Sequence, residues 1–301
     1  KFLMKKFSRE QIAFSAQISL EKTVLKCVKS LSKKKINLVL AGGVFANVKL
    51  NQKIGELKNI RQLYVFPNMG DGGLCVGGAQ LAYFKKTRRV PNKIDSMYLG
   101  NKFSEEQIKK EIKKFNLNFI KPKNIEKEIA NFLAQKKVVA HFSKNMEFGP
   151  RALGNRSILC SAEDASINDT LNKRLKRTEF MPFAPILRKK DAPRYLKISN
   201  KVDYKFMTFT LNCKQLMLKH APAAVHVDKT ARPQIISKID NPRLHKIISE
   251  YEKITGVPIL INTSFNMHEE PIVNSPSDAI RAFLQGNLDN LVLDKYIIFK
   301  K

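Results

Sequence analysis

Ile36-Asn-Leu-Val-Leu-Ala-Gly-Gly43 is the stretch whose reading decides the fold. A short apolar run of this length, bounded by glycine, reads as a buried strand closed by a turn. A helical start follows over Val44–Leu50. Leu63-Tyr-Val-Phe66 reads as a second strand, ended by Pro67-Asn68. Gly70-Asp-Gly-Gly73 then leads into a helix over Leu74–Phe84. Upstream, Ile12, Phe14, Ala16, Ile18, Leu20, Val24, Leu25 and Val28 give an amphipathic helix over residues 8–31. Helix, strand, glycine turn, helix, strand, glycine turn, helix is an α/β pattern. It ends near Arg88-Arg-Val-Pro-Asn92, which reads as a linker.

Residues 93–301 carry a second α/β or α+β pattern. Helices are expected at 104–115, 124–135, 242–254 and from Ser275-Pro276 through Leu284. Strands are expected at 137–142, 156–160, 205–211, 233–236, 258–262, 291–293 and 296–299. A chain of 301 residues has room for two such domains, here 1–92 and 93–301.

Composition narrows the function. Net charge is +29, from 55 Lys+Arg against 26 Asp+Glu. The excess is mostly scattered lysine, with no basic stripe interleaved with aromatics, so a nucleic-acid partner is not expected. No run reaches the ~18–20 apolar residues that span a bilayer, so no membrane partner is expected either. The four cysteines (Cys27, Cys75, Cys160, Cys213) lack ligand or disulfide spacing. Three of them sit in apolar runs and read as buried, reduced thiols, consistent with a cytoplasmic location. The chain lacks an initiator Met and is expected to be cut from something longer.

Several clusters carry chemistry. Glu147-Phe-Gly-Pro-Arg-Ala-Leu-Gly-Asn-Arg-Ser157 bends twice and presents Arg151 and Arg156, whose planar forks suit a phosphate or carboxylate. Gly42-Gly43 and Gly70-Asp71-Gly72-Gly73 each follow a strand, where exposed N–H groups can clasp a nucleotide; a plain strand-end turn is the competing reading. Asp71 either holds a phosphate-bridging metal or stabilises its own turn. Lys173, Arg174, Lys176 and Arg177 form a cationic patch before a Pro-rich run. His226, Asp228, Arg232 and Gln234 have even spacing and, if extended, share one face of a strand. Asn262, Ser264 and Asn266 offer amide and hydroxyl groups suited to a planar carbamoyl group. His141, His220, His245 and His268 read as structural.

These blocks, in this order, resemble the O-carbamoyltransferases of the NodU and TobZ type. The resemblance rests on Leu40-Ala-Gly-Gly-Val-Phe-Ala-Asn47, Asp71-Gly-Gly73, Phe148–Leu159, Met181-Pro-Phe-Ala-Pro185, Ala223-Ala-Val-His-Val-Asp228 with Ala231-Arg232 and Gln234, and Asn262-Thr-Ser-Phe-Asn266 with Glu270-Pro-Ile272. It implies part of an actin-like ATPase (ribonuclease H-like) domain followed by a YrdC-like α/β domain. It implies that carbamoyl phosphate and ATP give carbamoyl-adenylate, which carbamoylates a hydroxyl of a sugar or natural-product acceptor. It places Arg151, Arg156, His226, Asp228 and Arg232 in a catalytic role, with Lys176, Arg177, Asn262, Ser264 and Asn266 on the substrate. Gly42, Gly43, Asn47, Gly72 and Gly73 fall at the nucleotide and transfer site. Asp71 falls at a divalent metal, Mg or Fe/Mn. Two departures stand out. The family's His-x-x-x-His metal motif is absent, as expected of a chain that begins partway through that domain; a homodimer or a complementing amino-terminal segment is an expected partner. Met181 also stands where many relatives have Arg. The competing functions are a tRNA threonylcarbamoyl-type modification protein and a non-catalytic nucleotide-binding remnant.

Overall fold

Ser8 opens the first helix with a reciprocal cap, its hydroxyl accepting from Gln11 N while the Gln11 side chain accepts from Ser8 N. The computed structural model describes residues 4, 6–176 and 182–299. The helix, α1 (Arg9–Leu31), leads to β1 (Ile36–Leu40), α2 (Val48–Gly55), β2 (Ile60–Val65) and α3 (Leu74–Thr87). The two strands pair in parallel, Leu38 opposite Leu63 and Leu40 opposite Val65. Strand β2 starts three residues before the predicted Leu63. Ile60 is buried and pairs with Ile36, so packing extends the strand through the polar Arg61-Gln62 that hides it in the sequence.

A sheet of two strands covers little. Helix α3 buries none of its residues, and Leu74, Leu81, Tyr83 and Phe84 are exposed, as is Val39 on β1. The same geometry corrects the cysteine reading. Cys160 is buried and Cys213 half-buried, but Cys27 on α1 and Cys75 on α3 are exposed.

The rest is mixed α/β. In order come α4 (Glu105–Lys114), β3 (Phe119–Ile120), α5 (Ile125–Ala134), β4 (Val139–Phe142), β5 (Arg156–Ser161), α6 (Ile167–Arg174), β6 (Ala184–Arg188) and α7 (Ala192–Tyr195). Then follow β7 (Leu211–Asn212), α8 (Gln215–His220), β8 (Thr230–Ala231), β9 (Gln234–Ile236), α9 (Pro242–Thr255), β10 (Ile259–Ser264), α10 (Pro276–Gln285), β11 (Asn290–Leu293) and β12 (Tyr296–Phe299). Eight strands form one sheet in the order β3-β12-β11-β4-β5-β10-β6-β9. Pairs β11–β4 and β6–β9 are parallel and the others antiparallel.

Both faces are covered, which is why the central strands read as unbroken apolar runs. Ile129, Leu133, Leu244, Ile248 and Tyr251 of α5 and α9 pack on Val139, Leu159, Leu260 and Val292. Ala140, Ile158, Ile261 and Leu291 point into the larger core with Ile108 of α4 and Ile280 of α10.

The expected strand at 205–211 does not form. Only Leu211–Asn212 pairs, with Thr230–Ala231, and Met207 has φ +56°. The segment instead leans on α2: Thr210 N donates to Val48 O (3.3 Å) and Asn51 Nδ2 to Thr208 O (2.8 Å). Helix α2 thus takes hydrogen bonds that a ladder would need. Further links cross residue 92. Leu63 N donates to Lys201 O (2.8 Å), and Lys201 Nζ donates to Leu57 O (2.9 Å). Among the described residues no helix is long and apolar enough to cross a membrane.

Candidate active site

Sheet direction gathers the site. The start of β5, the end of β10 and the starts of β6 and β9 lie at one edge, because β10 runs antiparallel to both β5 and β6 while β9 runs parallel to β6. Ser264 sits opposite Ser157, and Asn262 sits between Leu159 and Ala184. Arg151 precedes β5 and Arg232 precedes β9, so both reach this edge; both are half-buried. Lys176, exposed and at φ +56°, heads the segment that enters β6. Arg177 and Met181 lie outside the described residues.

The loop that carries Arg151 is fastened at every residue after it. Asn262 Nδ2 donates to Ala152 O (3.3 Å) and to Gln234 Oε1 (2.7 Å). Gln234 Nε2 and the Tyr98 hydroxyl both donate to Leu153 O, each at 2.8 Å. Glu147 Oε1 accepts from the amides of Leu153 (2.7 Å), Asn155 (2.7 Å) and Arg156 (3.1 Å). His141 Nδ1 donates to Gly154 O at 2.6 Å, which fixes its tautomer. Burial lowers His141 to about 3, so it stays neutral, a structural histidine as expected. Gly154 has φ +112°, and a Cβ there would lie 2.3 Å from Leu244 Cδ2, so only glycine fits without displacing Leu244.

Arg156 is the main correction. It does not present a free fork to a ligand: it is fully buried. Its Nη1 donates to Ser143 O (2.8 Å) and Asn155 O (3.0 Å), and its Nη2 to Asn101 O (3.2 Å) and Lys144 O (3.3 Å). The guanidinium lies 3.6 Å over the Phe142 ring. Burial pulls its pKa down to about 10, while Glu147 pushes the other way. Arg156 opens β5, whose six residues are all buried because both sheet faces are covered, so it clamps the loop and leaves Arg151 as its ligand-facing candidate.

His226, Asp228, Arg232 and Gln234 do not share a strand. Residues 226–229 form a turn with Lys229 at φ +59°, and only 230–231 and 234–236 are extended. Asp228 accepts from Lys49 Nζ of α2 (2.8 Å), from the Thr230 hydroxyl (2.6 Å) and from Thr230 N (3.0 Å); His226 Nδ1 lies 3.1 Å away. Partial burial raises its pKa, but these donors outweigh it and hold the carboxyl well below the usual range. The pair therefore fastens this turn to α2. Asn266 closes its own loop, donating to Met267 O and Glu270 O, each at 2.8 Å.

The two glycine turns meet at the ends of β1 and β2, where Gly42 N donates to Met69 O (2.6 Å). Gly42 and Gly43 are exposed, with open space where a Cβ would stand. At Gly73 a Cβ would lie 2.1 Å from the Asn68 carbonyl, and Gly72 is nearly as tight against the Asn68 side chain. Gly73→Ala is expected to lower stability by about 1–3 kcal/mol, as overpacking does, read as a fall in the thermal midpoint; an unchanged midpoint would refute the close approach. Asn47 is a helix cap, accepting from Leu50 N (3.1 Å) and donating to Gln17 Oε1 (2.7 Å). Asp71 is an exposed, single carboxylate, and among the described residues no three His, Cys, Asp or Glu gather. A divalent cation needs several oxygen ligands, so these residues do not by themselves fit one.

Sequence reasoning gave Glu147 no role, although an acidic residue inside a basic, turn-rich segment of so cationic a chain was the available signal. Tyr98 and Asn241 carried no signal. Their hydrogen bond (3.0 Å) and the Asn241–Asn155 bond (3.2 Å) join positions distant in sequence.

Comparison with known proteins identifies the family. The family description "Carbamoyltransferase C-terminus" matches residues 130–300, and "Carbamoyltransferase N-terminus" matches residues 2–80. An uncharacterized protein, MJ1051, of Methanocaldococcus jannaschii is 39% identical over 299 residues, covering 96% of this chain and 56% of that protein. Nodulation protein NolO of Bradyrhizobium diazoefficiens is 34% identical over 270 residues, 88% of this chain and 49% of NolO. The chain thus spans about half the length of these relatives. Full-length HypF, in a phosphate- and nucleotide-bound crystal form, aligns over 59% of this chain and 22% of its own with TM-score 0.42 and 20% identity. A Sua5 variant from P. abyssi aligns over 56% and 46% with TM-score 0.40 and 13% identity. Likeness at that level supports no inference of its own. The sequence matches do: this chain belongs to the carbamoyltransferase family, with NodU- and NolO-type relatives.

Proposed function

We propose that the sheet edge bearing Arg151 is the carbamoyl-activating pocket of an ATP-dependent O-carbamoyltransferase. Carbamoyl phosphate and ATP would meet there to give carbamoyl-adenylate, and a hydroxyl of a sugar or natural-product acceptor would take the carbamoyl group. The observation that carries this reading is the mount of Arg151. Seven hydrogen bonds, from Glu147, Asn262, Gln234, Tyr98 and His141, hold residues 152–156 beside Ser264. A cation fixed in advance offsets the repulsion between two phosphate-bearing substrates without reorganising during the reaction. Arg232 adds positive charge from the residues just before β9, and Lys176 is a further cation of the segment that leads towards β6. Ser264 and the carbonyls of this edge suit the neutral carbamoyl amide.

The test supplies the protein with ATP and carbon-labelled carbamoyl phosphate. Label in an adenylate, with pyrophosphate released only when both substrates are present, is the expected result. Pyrophosphate release indifferent to carbamoyl phosphate would sink the reading. Acceptor choice is then read by adding sugars and hydroxylated natural products one at a time.

A further inference from the structure

A second basin lies along the same sheet edge, beyond β5, at the ends of β4 and β11. It encloses about 450 Å³, within the range of ordinary small-molecule pockets. Lys102, Lys144, Arg243, Lys246 and Lys295 line it, against Glu126 and Asp294 alone. The two carboxylates are already shared. Glu126 accepts from Arg243 (3.3 Å) and Lys246 (2.9 Å), and Asp294 accepts from Arg243 (3.0 Å). Lys295 turns to Glu105 (3.1 Å). Lys102 and Lys144 form no ion pair among the described residues.

Arg243 makes this more than a basic surface. Its side chain is only 9% exposed, and both its partners point it into the basin. Burying a guanidinium costs energy unless its charge is used, and here the local sum stays three charges positive. The basin also sits at the starts of α5 and α9, whose helix dipoles add positive potential. Phe103, Phe142 and Ile108 supply an apolar wall. Excess cations around a concave, partly apolar floor are the complement of a compact polyanion with a flat body.

We propose that this basin binds a small molecule bearing a di- or triphosphate, at a site separate from the Arg151 pocket. None of Arg151, Arg232, Asn262 or Ser264 lines it. The two sites share one wall. Phe142 faces the basin while the Arg156 guanidinium stacks on its ring, and the Lys144 carbonyl accepts from Arg156. Occupancy would therefore be felt by the clamp that orders the Arg151 loop. The inference does not depend on the transferase reading.

Calorimetric titration with inorganic tripolyphosphate tests it, with inorganic pyrophosphate and UDP in parallel arms. Lys102→Glu/Lys144→Glu should weaken tripolyphosphate binding at least about tenfold, the loss of two charge-assisted contacts. Lys26→Glu/Lys29→Glu, the same charge change on exposed positions of α1, should leave it within about twofold. UDP binding tighter than inorganic pyrophosphate would assign the apolar wall to a nucleoside. Equal affinity would assign the site to the phosphates alone, and both results support it. Equal weakening by the two double variants would reduce the binding to net charge and overturn the proposal. Both pairs of lysines are exposed, and unchanged melting of each variant confirms the fold.

Discussion

Glu147→Ala is expected to destabilise the protein by about 3–5 kcal/mol, the cost of breaking a buried, charge-compensated network from one side. Glu147 is 4% exposed, and one of its oxygens accepts three backbone amides. Its removal strands the amides of Leu153, Asn155 and Arg156 in a dry interior. It also deprives the buried Arg156 guanidinium of its counter-charge. Glu147→Gln keeps an acceptor oxygen and should cost clearly less. The two variants also separate by pH. Burial pushes the Glu147 carboxyl above its usual 4.5, despite the amides that favour its ionised form. A carboxyl raised on folding gives stability that is complete below the unfolded pKa and is lost as pH rises through the folded one. The stability gap between wild type and Glu147→Gln should therefore narrow as pH rises from about 4 towards neutrality. Urea unfolding across that range measures it. A Glu147→Ala loss under about 1 kcal/mol would show that the loop is ordered by something else.

The helices and most strands were legible because their signals are local. Ser8, Ser104 and Ser275 each cap a helix the sequence places within a residue or two. The apolar runs at 137–142, 156–160 and 258–262 are the sheet's central strands. What escaped was set by partners far along the chain. Residues 205–211 read as a strand from composition, but α2, more than 150 positions away, takes their hydrogen bonds. The even spacing from His226 to Gln234 looked like one strand face. Asp228 is instead drawn to Lys49, and the chain turns to reach it. The two arginines of the 147–157 loop look alike in sequence. Arg156 goes inside because it opens β5, whose six residues are all buried between two covered faces, while Arg151 stays on the loop before it.

That division of labour sets the effect of Arg151→Ala. Glu147, Asn262, Gln234, Tyr98 and His141 hold residues 152–156, so the loop should keep its shape when the Arg151 side chain is removed and the protein should melt close to wild type. Formation of labelled adenylate from carbamoyl phosphate and ATP should fall by at least about 100-fold, as when one preorganised donor to developing charge is removed. Arg151→Lys should recover only part of that loss, since a lysine keeps the charge but not the bidentate fork. Arg156→Ala makes the contrast. It should lower stability first, through four carbonyls and an aromatic face left without their partner. Rate and melting temperature measured on the three variants separate a ligand-binding arginine from a structural one. Near-normal adenylate formation by Arg151→Ala, in a protein that melts like wild type, would take the phosphate assignment away from this loop.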